Sequence, residues 1–222
     1  MIVLGFDTAT AATSVALLDD AAPGKARERR HDPRPGERPG HSALLLALAH
    51  ELLEEVGLTF AAVDRVAVGL GPGGFTGLRI GVATARALAQ ASGAQLAGVS
   101  TLRALAAGAQ PAAGQNVLAV VDARRGEVFL AGFEGDGQML GPLAIAPAEA
   151  GTLGVEGMLA VGDGALRFRE DLQAAGCEVP AEGSAQHGVS ARMTCRLALQ
   201  GAGARDLVVP DYLRKPDAKR RP

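Results

Sequence analysis

Two short apolar runs recur in the same order along the chain, and this repetition constrains the fold more than any other feature. Residues 116–122 resemble residues 1–7, and both runs end in an aspartate. Later, residues 159–164 resemble residues 66–71. A second apolar run closely follows each member of the first pair, which is typical of an antiparallel hairpin that opens a sheet. The repetition therefore predicts two duplicated α/β halves.

An aspartate at the end of the first strand of each half indicates a particular α/β fold class. The duplicated ribonuclease-H-like architecture of the actin-like ATPases, also called the ASKHA fold, places such carboxylates beside a nucleotide cleft between its halves. Asp7 and Asp122 would then lie at the carboxyl ends of strands, where open α/β sheets bind ligands. We predict an N-terminal half over residues 1–106 and a shorter C-terminal half with a tail over residues 107–222.

The composition is that of a globular chain, and it disfavours several classes of protein. Of 222 residues, 48% are hydrophobic, and 22 Lys and Arg stand against 24 Asp and Glu, for a formal charge of −2. The chain therefore lacks a strongly basic footprint for nucleic acid, and with 3% aromatic residues it lacks stacking platforms for single strands. Two cysteines form no disulfide framework, so we expect a reducing, cytoplasmic location. No apolar window reaches the roughly 18 residues that span a bilayer, and we expect no membrane association.

Residues 42–57 form a strongly apolar predicted helix. Ser42 suits the N-cap, and Gly57 suits the position after the C-terminus. One apolar stripe has helical spacing, and further leucines extend the apolar surface beyond a single face: Leu44, Leu45, Leu46, Leu48, Ala49, Leu52, Leu53 and Val56. A helix this apolar must be buried on more than one side. We predict that one side packs on the chain's own sheet and the other meets a partner.

A glycine-rich turn between a strand and a helix, over residues 69–81, allows two interpretations. Such a turn can cradle a phosphate at the helix N-terminus, but no Lys follows the glycines and the G-x-G-x-x-G spacing is absent. Alternatively, Gly77, Gly81 and Ala85 recur at i, i+4 and i+8 and leave a bare strip that another helix can approach closely. The spacing favours close packing.

The residues that metal or nucleophilic catalysis requires do not occur in a recognisable pattern. The four histidines form neither H-x-x-x-H nor H-E-x-x-H, and no Ser lies in G-x-S-x-G. The turn after Asp7 holds no glycine, and Asp122 is followed by Ala123, Arg124 and Arg125. The two arginines either face a phosphate or form the tip of a surface hairpin, and both interpretations stay open. We therefore predict no metal site, no cofactor and no catalytic residue.

Several sequence blocks, in order from residue 1 to residue 214, resemble the bacterial TsaB (YeaZ) family. They comprise residues 6–10, 14–18, 41–42 with the leucine-rich helix, 68–81, 98–102, 122–128 and 210–214. The glycine-rich block and the Asp-Ala-Arg-Arg-Gly-Glu block are the most specific of these. Gly74 stands where the family usually has Ser, Ala12 stands where it often has Glu, and residues 142–205 match poorly.

This resemblance implies a non-catalytic, activating subunit in the synthesis of threonylcarbamoyladenosine, the modified base beside the anticodon of tRNA. The implied partners are a TsaD-type catalytic paralogue, which carries a metal-binding H-x-x-x-H, and a TsaE-type ATPase. Alone, the chain would form a homodimer, and tRNA would bind through the complex rather than directly. The implied contact is a bundle of the two helices described above, both in the N-terminal half: Leu44, Leu45, Leu48, Leu52, Phe75, Thr76, Gly77, Arg79, Ile80, Gly81, Thr84 and Ala85.

An actin-like ATP-binding enzyme that uses Asp7 and Asp122 is the alternative hypothesis. Its nucleotide cleft, vestigial if the chain is inactive, would comprise Asp7, Thr8, Gly71, Gly73, Gly74, Asp122 and Arg124. A third hypothesis is direct tRNA binding by residues 25–38 and the basic tail at Lys219, Arg220 and Arg221, which the net charge disfavours. The incomplete set of metal and phosphate ligands favours the non-catalytic subunit.

Overall fold

The chain folds into two mixed β-sheets with helices packed around them. The computed structural model describes residues 1–34, 36–201 and 208–214, so the basic tail predicted at residues 219–221 lies outside the described residues. The strands are β1 (Ile2–Asp7), β2 (Thr13–Asp19), β3 (Arg27–His31), β4 (Arg65–Gly69), β5 (Gln95–Val99), β6 (Val117–Arg124), β7 (Glu127–Glu134), β8 (Gly137–Ile145) and β9 (Leu159–Val161). The α-helices are α1 (His41–Glu55), α2 (Phe75–Ser92), α3 (Thr101–Ala107), α4 (Asp163–Arg167), α5 (Arg169–Ala174) and α6 (Ala191–Gln200).

The first sheet has the strand order β3-β2-β1-β4-β5. β1 and β2 form the predicted hairpin, and β4 and β5 continue the sheet parallel to β1. Leu4 and Phe6 of β1 face α1 and α2, whereas Val3 faces the other side of the sheet, where α6 packs. β1 and β4 are therefore buried on both faces, as their unbroken apolar runs require.

The second sheet repeats this pattern with the order β8-β7-β6-β9. β6 pairs antiparallel with β7 and parallel with β9, just as β1 pairs with β2 and β4. Asp7 and Asp122 take corresponding places in the two hairpins, opposite Ser14 and Val128. The predicted duplicated α/β architecture is confirmed. Each predicted half holds one sheet, and the boundary at residue 107 stays a prediction.

The two halves exchange their last helices. α3 follows the first sheet but packs on β6 and β7, and α6 follows the second sheet but packs on β1 and β2. Leu105 of α3 and Leu197 of α6 consequently lie in one hydrophobic cluster that draws on both sheets. Gly5 allows α6 to approach β1, because a Cβ there would overlap the Sγ of Cys195. One continuous core therefore holds the halves together.

The leucine-rich helix forms as predicted, with small differences at its start. α1 begins at His41, one residue before the predicted N-cap, and Ser42 makes no cap hydrogen bond. Leu45, Ala49 and Leu52 are buried against the first sheet. Both cysteines are free and buried. Among the described residues, no helix is both long enough and apolar enough to cross a membrane.

Candidate functional site

The glycine-rich turn and α2 press directly against the turn that joins β1 to β2. The hydroxyl of Thr8 donates to the carbonyl of Gly77 over 2.8 Å, and Gly74 N donates to the carbonyl of Ala9 over 2.6 Å. A Cβ at Gly77 would overlap the carbonyl oxygen of Thr8, and one at Gly81 would overlap its hydroxyl. Glycine at these two helix positions is what brings α2 this close to the turn.

This contact corrects the predicted partner interface. The strip of Gly77, Gly81 and Ala85 packs closely, as predicted, but it packs against the chain's own turn and sheet rather than against another helix. Leu45 and Leu52 are likewise 1% and 0% exposed. Helical spacing shows that a face is buried, but it does not show what covers it. These five residues therefore belong to the core and not to a partner surface.

The two flanks of α1 have different neighbours. Leu44 and Leu48, both half-buried, share a flank with Glu55, which accepts hydrogen bonds from Arg27 and Arg29 of the edge strand β3. Each residue of an α-helix is rotated by about 100° from the one before it, so Leu46 lies roughly 200° from Leu44. Leu46 is therefore on the opposite flank of α1. Because α1 packs on β2 and β3 while α2 packs on β4 and β5, this opposite flank faces α2.

Exposed apolar side chains of α1 and α2 form one continuous surface, which we call the α1–α2 face. Leu46 of α1 is 47% exposed. Ile80 and Thr84 of α2 are half-buried, and small exposed side chains surround them. The face comprises Ala43, Leu46, Ala47, Thr76, Ile80, Ala83, Thr84 and Ala87. Thr76, Ile80 and Thr84 were predicted for the interface, whereas Leu46 was predicted only as part of the apolar helix surface.

Residues 208–214 run along the far flank of α2. Arg86 donates to the carbonyl of Val208 over 2.7 Å, and Asp211 N donates to the carbonyl of Leu70 over 2.7 Å. Further along, the Tyr212 ring lies against Phe75 with 5.1 Å between ring centroids. The resemblance included residues 210–214, but no sequence periodicity indicated that they pack on α2.

Asp7 is a buried structural carboxylate rather than an open ligand. It is 2% exposed, and its two carboxylate oxygens accept hydrogen bonds from Ala9 N (2.8 Å) and from the Thr101 hydroxyl (2.7 Å). Burial raises its pKa above the ordinary value, and these two hydrogen bonds act in the opposite direction. The Asp7 carboxylate fits against β4 only because residue 69 is glycine, since a Cβ there would overlap the carboxylate. Gly71 of the predicted nucleotide cleft is also buried.

Asp122 is held by arginines and is hydrogen-bonded through its backbone to Asp163. Asp122 accepts from Arg124 N over 2.8 Å and pairs with the guanidiniums of Arg167 (2.8 Å) and Arg124 (3.2 Å). Asp122 N in turn donates to Asp163 over 3.0 Å. Burial raises the pKa of Asp163. Within the described residues, no group of three or more His, Cys, Asp or Glu could hold a metal ion.

A cleft of about 500 Å³ lies between the two halves. Thr8, Gly74, Asp122 and Arg124 of the predicted nucleotide cleft line it, and they are joined by Asp163, Arg38 and His41, which the prediction missed. The Nδ1 of His41 is hydrogen-bonded to the Thr13 hydroxyl over 2.8 Å, and burial lowers the pKa of His41. Gly73 instead lines a neighbouring cavity. Arg124 and Arg125 form the tip of the β6–β7 hairpin, and Arg124 lines the cleft as well.

Comparison with known sequences identifies related proteins. The family model described as TsaD, tRNA N6-adenosine threonylcarbamoyltransferase, matches residues 37–185. The tRNA threonylcarbamoyladenosine biosynthesis protein TsaB of Escherichia coli is 39% identical over 137 residues, which cover 61% of this chain and 56% of that protein. The chain thus spans about half the length of the first TsaB relatives it matches. An uncharacterized Mycobacterium tuberculosis protein is 34% identical over 98% of this chain and 93% of its own length.

Solved structures extend the relationship across nearly the whole chain. YeaZ from Pseudomonas aeruginosa has a TM-score of 0.72 and 27% identity, and the match covers 95% of this chain and 100% of that chain. A ROK hexokinase from Thermus thermophilus has a TM-score of 0.53 at 12% identity, over 90% of this chain and 100% of that chain, which shows a shared fold alone. The predicted ASKHA fold class is therefore confirmed. By sequence and by structure, the chain belongs to the TsaB/YeaZ family, which is related to TsaD.

Proposed function

We propose that this chain is a non-catalytic, activating subunit in the synthesis of threonylcarbamoyladenosine in tRNA, acting in the cytoplasm. Its partner would be a TsaD-type catalytic paralogue, and a TsaE-type ATPase would complete the complex. Transfer RNA would bind through the complex, and the chain alone would pair with a second copy. The name of the Escherichia coli relative and the match to the TsaD family model support this proposal.

The observation that carries the proposal is the α1–α2 face. Its exposed surface consists of leucine, isoleucine, threonine and alanine side chains, while the charged residues of α1, such as Glu51 and Glu54, lie further along the helix. A contiguous apolar surface of this kind on a globular chain marks a protein interaction site. Leu46 and Ile80 would be its largest buried contacts in a complex.

The surroundings of the aspartates support a non-catalytic role. Asp7 has both carboxylate oxygens bonded inside the core, and Asp122 is paired with two arginines. A phosphoryl-transfer enzyme needs carboxylates that are free to hold Mg²⁺ beside the phosphates. The alternative, an ATP-binding enzyme that uses Asp7 and Asp122, would require both groups to leave these partners.

The test is the affinity of the purified chain for the TsaD-type paralogue of the same organism. Leu46→Asp places a charge in the centre of the α1–α2 face and should weaken binding at least tenfold, because an unpaired charge would be buried in the complex. Met139→Asp is the matched control, since Met139 is 53% exposed on β8 of the other sheet. Both variants should melt close to the wild type, because both residues are about half exposed and so can hydrate a new carboxylate.

Equal binding by Leu46→Asp and the wild type would exclude the α1–α2 face. If the wild-type chain does not bind the paralogue at all, the proposed function is wrong. In that case, Mg²⁺-dependent ATP binding by the chain, abolished in Asp122→Asn, would support the alternative enzyme.

A further inference from the structure

A second cavity, of about 650 Å³, lies beside the α1–α2 face and is built from three distant parts of the chain. The start of α2, the tip of the β6–β7 hairpin and residues 211–214 form its walls. Four arginines and two aspartates line it: Arg79, Arg124, Arg125, Arg214, Asp122 and Asp211. The cavity thus carries an excess of positive charge in a chain whose formal charge is −2. We call it the arginine pocket.

The guanidinium of Arg79 is oriented by its neighbours. Its Cζ lies over the Phe75 ring, 3.8 Å from the ring centroid, and its Nε donates to the Tyr212 hydroxyl over 3.1 Å. Among the described residues, its two terminal Nη groups have no hydrogen-bond partner and no carboxylate pairs with it. In contrast, Arg124 pairs with Asp122 and Arg214 pairs with Glu127. Arg79 therefore presents a fixed pair of donors.

The opposite wall of the pocket is the tip of the β6–β7 hairpin. Arg124 and Arg125 have φ values of 66° and 55°, a left-handed region that residues with long side chains rarely adopt. Asp122 accepts from Arg124 N, and the Arg214 guanidinium donates to the carbonyl of Ala123 over 2.8 Å, so both contacts hold the tip. Positive φ values are the usual geometry of a tight hairpin turn. This wall of the pocket is therefore fixed by contacts within the hairpin and with Arg214.

We propose that Arg79 binds a carboxylate, from an aspartate or glutamate side chain of the protein that docks on the α1–α2 face. This inference rests on the proposed function. The Nη pair of an arginine matches the two oxygens of a carboxylate. The excess positive charge would attract a phosphate as well, so the choice of a protein carboxylate rests on the aromatic side chains of the pocket and on the adjoining α1–α2 face.

The composition of the pocket also indicates a protein contact. Arg, Tyr and Phe side chains are enriched in the core of protein interfaces, and Arg79, Tyr212 and Phe75 form one preassembled stack. Thr76, beside Phe75 in α2, belongs to the α1–α2 face. A partner that covers this face can therefore reach Arg79 without a gap.

The experiment measures affinity for the purified TsaD-type paralogue at low and high salt. Arg79→Gln should weaken binding at least tenfold at low salt and should reduce the salt dependence, because an ion pair is lost. Arg79→Lys keeps the charge but not the paired donors, so its affinity should lie between those of Gln and the wild type. Tyr212→Phe, which removes only the hydroxyl that orients Arg79, should weaken binding less than Arg79→Gln. Arg196→Gln is the control, since Arg196 is an exposed arginine of α6 on the other side of the first sheet.

Four outcomes would overturn the proposal. Wild-type affinity and salt dependence in Arg79→Gln would show that Arg79 binds no partner carboxylate. Equal weakening by Arg196→Gln would show that binding depends on the net charge of the chain and not on Arg79 itself. Inorganic phosphate could bind the wild-type chain but not Arg79→Gln, while the paralogue binds both equally well. That result would show that the pocket binds a small anion instead. Failure of the wild-type chain and of every variant to bind the paralogue would contradict the proposed function and, with it, this inference.

Discussion

The two halves share one strand order, yet the aspartates that end their first strands have different surroundings. Asp7 is enclosed by the core, whereas Asp122 is paired with the exposed guanidiniums of Arg124 and Arg167, whose side chains are 62% and 52% exposed. The helices that follow β4 and β9 differ as well, with 18 residues in α2 and 5 in α4. A duplicated fold can thus use one carboxylate position for hydrogen bonds inside the core and its equivalent, whose side chain is 6% exposed, for ion pairs with exposed arginines. Neither use leaves the carboxylate free for a metal ion.

The largest expected effect concerns the close contact in the first half. Gly77→Ala would force α2 away from the turn that follows Asp7, because the added Cβ would overlap the Thr8 carbonyl. We expect a loss of about 3 kcal/mol in the free energy of unfolding, the upper part of the range for overpacking. Urea unfolding at neutral pH measures this loss.

Gly183→Ala is the control for that prediction. Gly183 has open space around its Cα, and its φ is not in the left-handed region. Its substitution should raise the free energy of unfolding slightly, by about 0.4–1 kcal/mol, because the unfolded chain loses conformational freedom. If the two variants were equally stable, the close packing of α2 on the turn would not be a stabilising contact.

A smaller effect distinguishes the two aspartates directly. Asp7→Ala would leave Ala9 N and the Thr101 hydroxyl unpaired in the core and should cost about 2 kcal/mol. Asp122→Ala should cost only about 0.5–1 kcal/mol, because water can solvate its exposed arginine partners. Denaturant unfolding of the two variants compares them. Equal losses, or a larger loss at Asp122, would contradict the different surroundings described above.

The smallest effect is the part of the pH dependence of stability that Asp7 contributes. Burial raises its pKa above 3.8, so the folded chain holds this proton to a higher pH than the unfolded chain does. The free energy of unfolding therefore falls as pH rises from about 3.8 through the folded-state pKa, by at most about 1.4 kcal/mol per pH unit. Asp7→Asn does not titrate, so its stability relative to the wild type should rise over this interval. A difference that is constant from about pH 4 to pH 7 would exclude burial as the cause.

Much of the fold follows from patterns that the sequence carries locally. The repeated runs that end at Asp7 and Asp122 predict two hairpins, and parallel pairing with β4 and β9 completes two similar sheets. The apolar residues of α1 likewise predict a helix buried on its sheet. These features are accessible because strand alternation and helical spacing depend on residues that are close in sequence.

The contacts between distant elements could not be predicted in the same way. The spacing of Gly77 and Gly81 indicates a bare helix face, but the turn that fills it is set by the tertiary fold. Arg79 was predicted as a partner contact, whereas its orientation by Tyr212 depends on a segment more than 100 residues away. The exchange of α3 and α6 between the sheets is also determined by tertiary packing. Local propensity carries no signal for it.

The proposed activating role is measured by tRNA threonylcarbamoylation with the TsaD-type paralogue and the TsaE-type ATPase, supplied with a threonylcarbamoyl donor. We expect that modification requires this chain and that the chain alone modifies nothing. Leu46→Asp should fail to support the reaction, while Met139→Asp should support it fully. Equal modification without the chain would contradict its role as an activating subunit. Modification by the chain alone would contradict its non-catalytic character.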